Sequence, residues 1–209
     1  MPVMRRKRMT NKEFLADRRA ALEDSIRYFS GANKAERERW VVVEFLTNLD
    51  IRHEDAEVAS SPEDPPDVLF RDCRFEIKEI LEPGRKRHDE YKQKHEKSLQ
   101  AKHPRDLLEE YSPEHFTPDE IGEIVREAMP KYQTRYRQEI RQDMDLLFYV
   151  NYTNHFQKPG PVPSSDIFEP FGWRSVSVLE GWTSMTLFAS ERAPGLLRTR
   201  VGLLYHRKF

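Results

Sequence analysis

Apolar residues in the first third of the chain recur with a helical period. Phe14, Leu15, Leu22, Ile26 and Phe29 fall along a helix over residues 10–29, and Thr10 with Glu13 has capping-box spacing. Ser30-Gly31 interrupts the pattern, which resumes from Asn33 to Asn48 with Val41, Val42, Phe45, Leu46 and then Leu49 as its apolar positions. A short strand is expected within 51–60, and the turn-rich string SSPEDPP follows it. Val68–Phe70 and Arg74–Ile80 read as two short strands, the second ended by Glu82-Pro83-Gly84. From Arg87 to about Ala101 the chain turns helical and basic. Residues 103–142 read as a helical insertion, in which Thr117-Pro118-Asp119-Glu120 supplies an N-cap, a proline at the first helical position and an N3 glutamate. LLFYVNY, 146–152, reads as a strand buried on both faces. A loop with four prolines between 159 and 170 leads to strands expected at 173–179, 182–189 and 196–205.

This order implies an α/β fold with a mixed central sheet flanked by helices. At 209 residues and 37% hydrophobic content the chain supports one sizeable core, so 1–209 reads as a single domain with an insertion. No apolar run is long enough to span a bilayer, and no apolar segment follows the basic residues 5–8 as in a signal peptide. With one cysteine, Cys73, an internal disulfide is excluded, and a soluble cytoplasmic protein is expected.

Charge changes the picture through its distribution. The net charge is only −1, against a simple nucleic-acid coating protein. Residues 50–83 nevertheless carry eleven Asp/Glu against four Lys/Arg, and 84–103 carry seven Lys/Arg against three Asp/Glu. Such blocks are either two solvated faces or a cation site beside a surface that receives a polyanion.

A hairpin turning between Arg71 and Asp72 pairs Phe70 with Cys73, Leu69 with Arg74, Val68 with Phe75 and Asp67 with Glu76. Alternation then puts Val68, Phe70, Phe75 and Ile77 on one face, able to pack on a helix. Asp67, Arg74, Glu76 and Lys78 share the other. Opposed carboxylates ~4 Å apart repel by about 4 kcal/mol at an effective dielectric of 20. Lys78 supplies one compensating charge, and a divalent cation would supply two. Arg71-Asp72 is a poor two-residue turn pair, and an odd-length loop would break the opposition. An acidic-x-Lys triplet also arises by chance in so charged a chain, and Glu90-Tyr91-Lys92 is a second one. The strand setting and the upstream Pro66-Asp67 distinguish the first.

Pro66-Asp67 with Glu76-Ile77-Lys78 resembles the motif of the PD-(D/E)XK nuclease superfamily. Residues 33–49, 51–60, 67–70, 73–81, 87–101 and 145–152 can be laid onto the order of that family's core, so a restriction-endonuclease-like core is expected over about 33–152. The whole chain is also similar to a small bacterial family of uncharacterised proteins that carry the label endonuclease. The resemblance implies a Mg²⁺- or Mn²⁺-dependent endonuclease acting on DNA. Asp67, Glu76 and the carbonyl of Ile77 would hold the metal, and Lys78 would orient or activate the attacking water. Many members add a helix glutamate, and the AERE segment of KAERERWV nominates Glu36. Helical periodicity favours Glu38 instead, because Val41, Val42 and Phe45 lie three, four and seven residues beyond it. Arg85, Lys86, Arg87 and Lys94 are candidates for nucleic-acid contact, set against an ordinary solvated helix. Arg135, Arg137 and Arg141 with Tyr132 and Tyr136 form another basic-aromatic segment. A homodimer would supply the two active sites that duplex cutting calls for. The alternative from another class is a nuclease-like fold that binds nucleic acid or a protein without cutting. His95 and His103 lack the partners of a zinc site.

Overall fold

The computed structural model describes residues 9–153 and 155–208. The basic residues 5–8 lie outside them. By its packing the chain falls into two compact units, one formed by the described residues up to Lys34 with Gly84–Ser112, the other by Ala35–Pro83 and Pro113 onward.

The first unit is built on two helices, α1 (Asn11–Tyr28) and α3 (Arg87–Gln100), with a 3₁₀ turn at Pro104–Leu107. The expected capping box starts α1: Thr10 Oγ1 accepts the Glu13 N–H at 3.2 Å and Glu13 Oε2 accepts the Thr10 N–H at 2.8 Å. Arg19 of α1 donates to the Ser98 carbonyl of α3 at 2.9 Å, and the Phe29 and Tyr91 rings stack at 5.0 Å.

The second unit holds a seven-stranded mixed sheet. In chain order its elements are α2 (Lys34–Asn48), β1 (Val58–Ser60), β2 (Val68–Phe70), β3 (Cys73–Ile80), β4 (Glu114–Phe116), α4 (Pro118–Arg135), α5 (Gln138–Arg141), β5 (Asp145–Val150), β6 (His155–Gln157), β7 (Ser175–Glu180), β8 (Thr183–Ala189), α6 (Gly195–Arg198) and β9 (Leu204–His206). The strand order is β1-β2-β3-β5-β7-β8-β9, and β4 with β6 forms a separate parallel pair. β3, β5 and β7 run parallel at the centre, with antiparallel strands outside them. Helices cover both faces. Val41, Val42, Phe45 and Leu46 of α2 pack with Val68, Phe70, Phe75, Ile77 and Leu147, while Ile121, Val125, Met129 and Tyr132 of α4 pack with Leu146, Phe148, Val176 and Val178. Successive residues of β5 enter opposite clusters, as its continuous apolar run requires.

Three sequence expectations need correction. The strand sought in 51–60 shrinks to Val58–Ser60, because Asp55–Glu57 form a 3₁₀ turn closed by the Glu57 side chain on the Glu54 N–H at 2.8 Å. The strand expected at 196–205 is mostly helix and turn. Leu197 and Arg198 donate to the Pro194 carbonyl, Gly202 turns the chain at φ +73°, and apart from an isolated bridge from Val201 to Thr186 the pairing with β8 is confined to Leu204–His206. The 103–142 segment is only partly helical: residues 108–113 are irregular, and Glu114–Phe116 form β4, which pairs with β6.

On β6, His155 Nε2 lies 2.7 Å from Glu180 Oε1 and Nδ1 lies 2.9 Å from the Tyr152 carbonyl. Both partners accept, so only the doubly protonated ring donates to both. The hydrogen bond to the buried Glu180 carboxylate raises the His155 pKa, with burial opposing it. A group bound more tightly as a cation in the folded state contributes stability that is fully present below its unfolded value of about 6.5. That contribution is lost as pH rises through the elevated folded value. Urea denaturation of wild type should therefore show a fall in stability above about pH 6.5 that His155→Gln flattens.

Candidate active site

The hairpin forms in the expected register: Val68 faces Phe75, Leu69 faces Arg74 and Phe70 faces Cys73. Arg71 takes the left-handed φ of +52° that the tight turn needs. Its side chain offsets that strain by donating to the Arg52 carbonyl at 2.9 Å and to Glu57 at 3.3 Å, with its guanidinium 4.6 Å from the Phe70 ring centre.

β3 is much longer than β2, so its second half continues past the end of its partner. Asp67 begins that region. Its N–H still donates to the Phe75 carbonyl at 3.0 Å, extending the ladder by one bond. The next rung is made by a side chain, because Asp67 Oδ2 accepts the Ile77 N–H at 2.9 Å. Pro65 and Pro66 precede Asp67 and have no N–H with which to extend the strand. Both bonds, Asp64–Pro65 and Pro65–Pro66, are cis. A strand residue directs its N–H and C=O to the same edge, so the Ile77 carbonyl faces this same region.

Glu76 points to the other face of β3, toward α4, and is only 1% exposed. Its Oε1 accepts the Tyr136 hydroxyl at 2.5 Å and the Lys78 ammonium, while Oε2 is buried without a hydrogen-bond partner. Tyr136 ends α4. Its N–H bonds to the Tyr132 carbonyl at 3.1 Å, its own carbonyl accepts Arg141 Nη1 at 2.6 Å, and its ring packs edge-on against Trp173 at 5.5 Å. Burial first, and then the bond to the Glu76 carboxylate, push the Tyr136 phenol well above its ordinary pKa, so it stays a neutral donor. The rings of Tyr132 and Tyr136 flank Lys78 Nζ at 5.8 Å and 5.6 Å.

Asp64, Asp67 and Glu76 each place a carboxylate oxygen within 4.8 Å of the other two. The set is all oxygen, which suits Mg²⁺ or Mn²⁺. An isolated buried carboxylate oxygen is costly, and a cation at Glu76 Oε2 would satisfy it. The donor chemistry and the unpaired oxygen both fit a divalent ion.

The structure thus gathers Asp67, Glu76, Lys78 and the Ile77 backbone. It adds Asp64 and Tyr136, which sequence reasoning placed in a loop and in a basic-aromatic segment. Adjacency to Pro65-Pro66-Asp67 was the available signal for Asp64. Tyr136 comes from sixty positions beyond Glu76, and nothing in the sequence links the two. Glu38 is half-buried and Glu36 exposed, as periodicity implied. Glu38 nonetheless lies on α2, which packs against the Phe75 face, and it is not one of the three gathered carboxylates.

The basic candidates belong to the first unit. Arg85 pairs with Glu90 at 2.7 Å, Lys94 pairs with Glu90 at 2.6 Å and Glu109 at 3.5 Å, and the Arg87 guanidinium covers the Phe29 ring at 4.5 Å. Lys86 is the N-cap residue of α3. The Tyr132–Arg141 segment offers no stacking platform: both tyrosines are buried, and Arg141 is held by the Gln133 and Tyr136 carbonyls at 2.6 Å.

The family described as "Putative endonuclease, protein of unknown function (DUF1780)" matches residues 10–208. The chain belongs to that family. Among solved structures it is similar to a Pseudomonas aeruginosa strain PAO1 protein of unknown function, PA4535, described as "Monooxygenase Superfamily". The two are 25% identical with a TM-score of 0.64, over 96% of this chain and 97% of that one. Comparison with curated proteins gives no match. Among the described residues no helix is long and apolar enough to cross a membrane.

Proposed function

We propose that this member of the family is a metal-dependent endonuclease of the PD-(D/E)XK kind, hydrolysing phosphodiester bonds in DNA. The observation that carries the reading is the meeting of three carboxylates, one of them the buried Glu76, whose Oε2 is unpaired and whose Oε1 is bonded to Lys78. The order α2, β1, β2, β3, α3, β5 supports a restriction-endonuclease-like core, since it follows the helix, three-strand meander, helix and strand of that superfamily. The description of the structural neighbour names a redox class. Carboxylates without imidazole or thiolate suit a hard cation and a phosphate ester better.

Asp67, Glu76 and the Ile77 carbonyl would hold Mg²⁺ or Mn²⁺, with Asp64 as a further carboxylate. Bound there, the ion would act as a Lewis acid on the phosphate and lower the pKa of a coordinated water. The chain's own contribution is placement. The Ile77 N–H fixes one Asp67 oxygen, so the carboxylate is oriented before any ligand arrives. Lys78 brings a positive charge on the same face as Glu76, where it would orient the attacking water and stabilise charge developing on the phosphorane. The flanking tyrosines limit solvent access to that ammonium and strengthen its field.

The test is nicking of supercoiled plasmid. Wild type is expected to convert the substrate to open-circle DNA in Mn²⁺ or Mg²⁺, with EDTA reducing the rate to background. Equal cleavage in EDTA would overturn the reading. So would the lack of cleavage on plasmid, single-stranded and branched DNA by a preparation that also binds no Mn²⁺.

A further inference from the structure

We propose that Tyr136 is a positioning residue of the metal site: with Lys78 it fills Glu76 Oε1 and so assigns Oε2 to the cation. The inference rests on the metal-site reading above and adds the part of the chain that orients the ligand.

A glutamate's terminal torsion is broad and roughly two-fold, so its two oxygens exchange freely unless something distinguishes them. Here they differ. Oε1 has two donors, the Tyr136 hydroxyl at 2.5 Å and the Lys78 ammonium, whereas Oε2 is buried with none. The two donors come from different elements, Lys78 from the same strand as Glu76 and Tyr136 from the end of α4. Together they fix both the rotation and the position of the carboxylate.

The donors also differ in stiffness. Lys78 has a flexible stem with rotatable donors, whereas the phenol is rigid and its backbone is anchored on both sides. The Tyr136 N–H is held by Tyr132, the carbonyl by Arg141, and the ring by Trp173. When Lys78 turns toward a phosphate or water, Tyr136 alone keeps Oε1 satisfied and Oε2 in place. Tyr136 therefore lets one lysine serve both the ligand and the substrate. Removing partners that orient metal ligands weakens metal affinity by about 10–100-fold.

The experiment titrates Mn²⁺ into full-length wild type, Tyr136→Phe and Tyr132→Phe, counting free ion by its electron paramagnetic resonance signal, without DNA. The Tyr132 ring also flanks Lys78, but its hydroxyl is not a partner of Glu76. Tyr136→Phe should weaken binding at least ~10-fold, and Tyr132→Phe should match wild type. In nicking assays Tyr136→Phe should raise the half-saturating Mn²⁺ concentration by a similar factor. If wild type binds Mn²⁺ and Tyr136→Phe binds it equally well, the positioning role is overturned. Equal losses in both variants would reduce Tyr136 to packing and overturn it too. Failure of wild type to bind Mn²⁺ would instead remove the metal-site reading beneath it.

Discussion

On the proposed mechanism Lys78→Met should abolish most cleavage, with an expected fall in the plasmid nicking rate of about 10²–10³-fold, the usual loss when one donor to a developing oxyanion is removed. Methionine keeps most of the lysine's volume and its packing between Tyr132 and Tyr136, so the defect isolates the charge. Stability changes as well. The lysine side chain is 13% exposed and Glu76 only 1%, so the variant leaves a buried carboxylate without its cation. Breaking a fully buried ion pair costs ~3–5 kcal/mol. Tyr136 still donates to Oε1, so about 2 kcal/mol is expected here. The double variant Lys78→Met with Glu76→Gln separates the two effects, because it removes the orphaned charge along with the chemistry. It should regain stability in urea denaturation and remain inactive in the nicking assay. Nicking retained by Lys78→Met would place the chemistry elsewhere.

The second large effect concerns the fold. Asp145 opens β5 and is 1% exposed, and its carboxylate meets four donor groups. It accepts the Arg74 N–H at 2.9 Å, the Ser175 hydroxyl at 2.7 Å, Arg174 Nε at 3.1 Å and Arg174 Nη2. Arg174 also donates to the Asp72 carbonyl at 3.1 Å, so one ion pair joins the starts of β3, β5 and β7. Arg174→Met keeps two neutral donors but removes the only positive charge among these four. The loss should be about 3–5 kcal/mol, read as a lower urea midpoint at unchanged slope. Asp145→Asn in the same chain should recover part of it. Below the unfolding transition, Mn²⁺ affinity should match wild type, since Arg174 touches none of the gathered carboxylates.

What the sequence disclosed follows from how locally each feature is encoded. The capping boxes at Thr10 and Thr117 lie within four residues and are found as expected. The hairpin register is legible because a slip of one would expose Val68, Phe70, Phe75 and Ile77, all now buried. Side-chain alternation then places Glu76 and Lys78 on one face. The same apolar residues mislead at 196–205, where Pro194 and Gly202 override a strand-like composition. The Arg174–Asp145 pair and the Tyr136–Glu76 bond depend on long-range packing, so no spacing rule finds them. Asp64 is exposed and sits in a proline-rich loop, where an acidic residue is ordinary.

In the proposed site Asp67 and Glu76 hold a divalent cation. The most direct test of this is an anomalous difference map from crystals soaked in Mn²⁺, collected at the manganese edge. The expected result is a peak at bonding distance from Asp67, Glu76 Oε2 and the Ile77 carbonyl, absent after Glu76→Gln. A peak bound elsewhere, or none in crystals of protein that cuts DNA with Mn²⁺, would contradict it.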